Sequence, residues 1–203
     1  MASRMTLLFG IALVATAAAG CATNPARFYT LASTATADDA PVARYGVIVG
    51  PVSVPASVDR PELVVQVAPN RVELDEFNRW ASPLGEAIAI ATAEDLGGLL
   101  STARATSIVQ SATDADYRVS LEVQRFQSAP GSYALLDAVY TVRRTADGRS
   151  ATGRTTARET PADKSYDALA AAHSRAVARL AADIAAATRS LAAQAPRPAA
   201  ANR

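Results

Sequence analysis

Three side chains with chemical potential occur once each in this 203-residue chain: Cys21, His173 and Trp80. A lone thiol closes no disulfide within the chain and, without companions, builds no cysteine metal site. His173 lies four residues from both Leu169 and Val177 in an apolar stripe. A packed ring with one satisfied nitrogen is therefore expected there, ahead of a Ser-His-Asp nucleophile system. No soft ligands accompany it in a metal-binding spacing. The stretch GRSATGRT, residues 148–155, nearly matches the phosphate loop G-x-x-x-x-G-K-[ST]. Arg154 replaces the lysine, and the stretch reads as part of a hairpin, whereas a phosphate loop lies between a strand and a helix. Carboxylates adjoin at Asp38–Asp39, Asp75–Glu76 and Glu94–Asp95. Adjacent residues on a helix or strand do not face one another, so these pairs are expected to be solvated surface. No catalytic residue, cofactor site or metal site is expected, and the chain does not read as an enzyme.

Cys21 has a distinctive setting. Arg4 precedes an uncharged run, LLFGIALVATAAAG, from Leu7 to Gly20. That run falls short of the roughly 20 residues a helix needs to span a bilayer. A basic start, an apolar core of this length and small residues at its end describe a secretory signal peptide over residues 1–20. Ala18-Ala19-Gly20-Cys21 resembles the bacterial lipobox, in which the cysteine sulfur receives diacylglycerol before cleavage. Cys21 is thus the expected lipidation site, carrying palmitate-type acyl chains that hold the protein to a membrane. Ala22 follows it, where Asp would signal retention at the inner membrane. By analogy with Gram-negative lipoproteins, the expected location is the periplasmic face of the outer membrane.

Removing the signal leaves 183 residues, a size for one domain, with 19 basic and 19 acidic side chains. That balance argues against a nucleic-acid partner, which calls for a basic surface. Residues 32–44 are small and polar without apolar period. Residues 21–44 are accordingly expected to be a lipidated amino terminus and flexible tether, its 13-residue polar part reaching about 40 Å when extended. A single globular domain is expected over 45–193 and a disordered tail over 194–203.

Within the domain, 46–55 reads as a buried strand interrupted by Pro51. Residues 62–67 and 71–74 flank the turn signal APN and predict a hairpin. Ser82 as N-cap and Pro83 at the first helical position predict a helix over 83–100, with Leu84, Ile88, Ala91, Leu96 and Leu99 facing the core. A short strand is expected at 106–109. From Tyr117 the period becomes two, with Tyr117, Val119, Leu121 and Val123 on one face. The meander continues through 132–144 and 149–159 around the turn TADG. Finally Tyr166, Leu169, His173, Val177, Leu180, Ile184, Ala187 and Leu191 form a narrow apolar stripe on a helix of about 28 residues. The expected fold is α/β, a mixed, largely antiparallel sheet with two long helices packed on it.

Two further stretches carry candidate binding residues: SVDRPEL, with Asp59 and Arg60 before Pro61, and DEFNRWASPL, with Arg79 and Trp80 at the expected helix entrance. The plain reading has Trp80 packing over the helix start with Arg60 or Arg79 covering it. The functional reading is a docking surface, since Trp and Arg are enriched at interface hot spots. Residues 49–88, with the G-P-V strand, Asp59-Arg60-Pro61, the hairpin and Phe77-Asn78-Arg79-Trp80-Ala81 before Pro83-Leu84, resemble the PqiC family of ABC-type transport auxiliary lipoproteins, associated with membrane integrity. FYTL at 28–31 fits as well. The resemblance implies a non-enzymatic accessory of an MCE-type lipid transport system, docking to a PqiB-like MCE protein and its inner-membrane permease complex. Because MCE assemblies are cyclic, a homo-oligomeric ring of the lipoprotein is an expectation that follows. Two other classes remain open: a structural or assembly lipoprotein of the outer membrane that moves no lipid, and a tethered hydrolase.

Overall fold

The computed structural model describes residues 25–36, 42–107 and 115–194. The signal peptide, Cys21, the Asp38–Asp39 pair, Ile108, Val109 and the tail beyond Gln194 lie outside them. Its elements are β1 (Arg27–Tyr29), β2 (Val47–Ser53), β3 (Glu62–Ala68), β4 (Arg71–Trp80), α1 (Leu84–Leu99), β5 (Ala105–Thr106), β6 (Tyr117–Ala129), β7 (Tyr133–Arg144), β8 (Ser150–Glu159) and α2 (Tyr166–Ala193).

The strands make one mixed eight-stranded sheet, ordered β1-β4-β3-β6-β2-β5, with β7 and β8 continuing from the other edge of β6. Short turns make β3–β4, β6–β7 and β7–β8 antiparallel, while crossover connections make β1–β4, β2–β5, β2–β6 and β3–β6 parallel. The α/β class and the two helices expected from sequence are what the described residues adopt. β6 is the hub: β7 lies along its whole length, and its opposite edge meets β2 first and β3 only at the pair Val65↔Ser128.

Both helices cover the same sheet face, which gathers Val47, Val49, Leu63, Trp80, Val119, Leu121, Leu136 and Val142 into one core. Leu169, Val177, Leu180, Ile184 and Leu191 enter it from α2 at 3% exposure or less. Each contributes about 2 kcal/mol by burial. The face of α2 is wider than the expected stripe, because Ala170, Ala172, Ala176, Ala181 and Ala185 are buried too. Their small side chains let α2 approach the sheet on one flank and α1 on the other. All five core positions expected on α1 are buried.

Local departures have local causes. α1 begins at Leu84 with Pro83 as N-cap and no side-chain cap, so the hydroxyl of Ser82 does not serve as expected. At its end Thr102 N–H donates to Gly97 and Ser101 N–H to Gly98, a Schellman pattern with Ser101 at φ 49° where glycine is usual. Pro51 interrupts β2 as expected: the register against β6 slips between Val49 and Val52, with Gly50 at φ 143°. β4 runs far beyond the expected Leu74, to Trp80. Its opposing pairs jump from Leu63↔Asp75 to Glu62↔Arg79, leaving residues 76–78 as a bulge. The Asp75 carboxylate accepts from the backbone N–H of Phe77 and Asn78 at 3.0 Å and shapes that bulge.

Candidate functional site

The lone histidine and the lone tryptophan meet in the core, at the junction of β4, β6 and α2. Phe126 stacks on the His173 ring at 4.0 Å and 10°. Trp80 stands edge-on to both, with centroids 5.9 Å from Phe126 and 6.1 Å from His173. His173 is fully buried, its Nε2 lies 2.8 Å from Ser128 Oγ, and its Nδ1 has no partner among the described residues. The environment is apolar, so burial pushes the His173 pKa down to about 3 and keeps the ring neutral. A Ser–His pair in hydrogen-bond range looks like nucleophile machinery, yet Ser128 is 4% exposed and His173 is sealed. The pair is structural, as the apolar stripe suggested.

Trp80 therefore does not sit over a helix entrance with Arg60 or Arg79 above it. It ends a strand, points inward at 5% exposure, and offers no surface to a partner. Its neighbour Arg79 faces the other way, 3.4 Å from Glu62, with its Nε donating to the Glu76 carbonyl at 2.8 Å. Asp59 and Arg60 are exposed on the turn before β3. Pro55 O accepts from the N–H of Val58 and Asp59, and Pro61 O accepts from Trp80 N–H at 2.7 Å. The candidate docking residues are thus split: Asp59, Arg60 and Arg79 at the surface, Trp80 in the core.

Asp95 departs most from expectation. It is fully buried in α1, and its Oδ1 accepts from Ser33 Oγ at 2.7 Å and from the backbone N–H of Thr34 and Ala35 at 2.8 Å. Ala32 N–H donates to Ser174 Oγ on α2 at 3.1 Å, and Ala43 N–H donates to Leu100 O. Residues 32–35 are consequently a strap pinned across both helices, and the reading of 32–44 as a free tether fails at both of its described ends.

A second buried carboxylate lies on the sheet face away from the helices. Asp137, in the apolar run ALLDAVY of β7, has a fully buried side chain. Arg154 donates to both its oxygens at 2.7 Å, Arg125 donates at 2.9 Å and Thr156 at 3.2 Å. The Arg154 guanidinium, aided by Arg125 against the cost of burial, holds the Asp137 carboxyl well below the usual carboxylate range. A lone charge in an apolar run signals such a partner cluster; neither arginine could be assigned to it without the register of β6, β7 and β8. Arg154 is thereby committed, so GRSATGRT belongs to the β7–β8 hairpin and offers no phosphate cradle.

Among the described residues no cluster of three or more His, Cys, Asp or Glu is placed to hold a metal. No helix there is long and apolar enough to cross a membrane. A cleft of about 760 Å³ lies between α1, β2 and β5 and carries Glu86, Ile90 and Glu94 on its helix side.

Fold and side chains together define a mixed-sheet α/β module whose one histidine and whose buried carboxylates are engaged in holding it together. The chain belongs to the family of ABC-type transport auxiliary lipoprotein components, whose model matches residues 29–185. It is similar in fold to a Xanthomonas campestris protein of family DUF330, at 18% identity and a TM-score of 0.68, covering 83% of this chain and all of that one. A second solved structure, of an uncharacterised protein, matches at 16% identity and 0.65, covering 80% and 97%. Comparison with curated proteins finds no match. The family is one of transport auxiliary components and not an enzyme family.

Proposed function

We propose that this protein is a non-enzymatic lipoprotein subunit of an MCE-type intermembrane lipid transport system, held at the periplasmic face of the outer membrane by acyl chains on Cys21 and docked to a PqiB-like MCE protein. The observation that carries this reading is the family match, which begins at residue 29, eight residues after the lipobox cysteine. The sealed Ser128–His173 pair agrees with a role without catalysis. Docking falls to Asp59 and Arg60 on their exposed turn; Arg79 is engaged by Glu62, and Trp80 sets the end of β4 from within. With the strap pinned, six peptide units separate Cys21 from Arg27, a span of at most about 22 Å. The domain then works close to its membrane, so the partner's tube comes to it.

The experiment is photo-crosslinking in intact cells from Asp59 and Arg60, with mass-spectrometric identification of the captured protein. Capture of an MCE-domain protein supports the proposal. Capture of barrel-assembly or other envelope proteins alone turns it towards the assembly reading. Membrane fractionation unchanged by Cys21→Ser removes the anchor.

A further inference from the structure

Seven large apolar side chains are exposed among the described residues, and five of them, Phe28, Val67, Val72, Leu74 and Phe77, belong to β1, β3 and β4. Single exposed apolar residues are ordinary on a soluble surface; a cluster asks for a partner. Their direction follows from the register. Tyr29 and Trp80 are an opposed pair and both point into the core, and Tyr29 Oη donates to Asn78 on that same side at 2.8 Å. Strand alternation therefore turns Phe28 and Arg79 outward, and Phe77 is exposed in the bulge before Asn78. Leu63 and Val65 point inward, so their neighbours Val64 and Gln66 turn outward together with the opposed Leu74 and Val72. Phe28 at 64%, Val72 at 52% and Leu74 at 48% exposure thus share one uncovered face, with Phe77, 46% exposed, in the bulge of the same strand.

We propose that this face of β1 and β4 lies against the phospholipid surface that holds the Cys21 acyl chains; the inference rests on the acylation proposed above. Chain length selects the occupant. Seven peptide units join Cys21 to Phe28, at most about 25 Å of chain, whereas a domain of this size is about 40 Å across. The β1 edge cannot leave the neighbourhood of the bilayer, and the far side of the domain cannot reach it. The chemistry agrees: two exposed aromatic rings and aliphatic neighbours, with the exposed Arg27 next to Phe28, are what an interfacial surface takes into the headgroup layer. Glu73 and Asp75 alternate to the opposite, helix-bearing side of the hairpin.

The test uses the full lipidated protein, extracted from membranes and reconstituted in vesicles of phosphatidylcholine and phosphatidylglycerol. Acylation consumes the only native thiol, so an introduced cysteine is the sole site for a maleimide environment-sensitive dye. Phe28→Cys and Leu74→Cys report on the proposed face, and Ala182→Cys, exposed on α2, is the control. Doxyl-labelled lipid is expected to quench the dye at least three-fold more strongly at 28 and 74 than at 182. Equal quenching at all three positions overturns the proposal. So does quenching that appears only between protein copies as their density rises, which would assign the face to a second copy. Dye uptake by the unmodified chain would show Cys21 free, and would overturn the anchor and this orientation together. A blocked Cys21 with unquenched dyes at 28 and 74 overturns the orientation alone.

Discussion

His173 allows the stability of the whole fold to be read against one titration. It is the only histidine in the chain. Its folded pKa is depressed to about 3 by burial, against 6.5 for the free side chain. Between those values the unfolded chain binds a proton that the native ring refuses, so acidification favours unfolding and stability rises with pH. From pH 7 to pH 5 the loss comes to about 2 kcal/mol, near the limiting slope of about 1.4 kcal/mol per unit below pH 6. The depressed carboxyls of Asp75, Asp137 and Asp163 act at lower pH, below about 4, and leave this window clear. Urea unfolding followed by circular dichroism at both pH values is the assay. With a slope of about 2 kcal/mol per molar, the midpoint should fall by about 1 M. A His173→Phe variant keeps a ring against Phe126 and strands the Ser128 hydroxyl, costing about 1–3 kcal/mol at every pH. Its midpoint should no longer move between pH 7 and pH 5. A variant that loses as much stability on acidification as the parent would refute the assignment.

Other perturbations follow from the buried carboxylates. Asp95→Ala deprives Ser33, Thr34 and Ala35 of a shared acceptor; a loss of about 2–3 kcal/mol and new proteolytic cleavage within 30–36 are expected in limited digestion. Asp137→Asn keeps the shape but leaves Arg125 and Arg154 without their counter-charge, and thermal unfolding should show a loss of about 2 kcal/mol. In the parent, the contribution of Asp137 is full above about pH 4 and disappears as pH falls further, because its folded pKa lies below its unfolded one. Hydrogen exchange at β7 and β8 should rise in parallel.

What could be read from the chain was whatever has a short period. The alternation from Tyr117 to Gln124 and the three-and-four stepping of α2 each repeat several times, so one sequence window contains the evidence. The end of β4 could not be read this way. The bulge at 76–78 breaks the alternation just before Trp80, and the remaining residues mimic a helix entrance. Asp95 was hidden for a different reason. Its donors lie about 60 residues away, two of them backbone N–H groups, which every residue type except proline provides. Nothing in Glu94–Asp95 says which carboxylate turns inward. The outward face of β1 and β4 was equally out of reach, since parallel pairing of Arg27–Tyr29 with Asn78–Trp80 joins segments some 50 residues apart.

The strap has a mechanical meaning. A pull arriving from the amino end meets the fold at Arg27 and is borne first by the three β1–β4 pairs and the Ala81–Tyr29 hydrogen bond. Only after these yield does load pass to Ala32 on Ser174, and then to the triple clasp on Asp95. The fasteners are in series, graded from the sheet rim to the helix layer, so tugging on the leash frays an edge before it can disturb the packed interior.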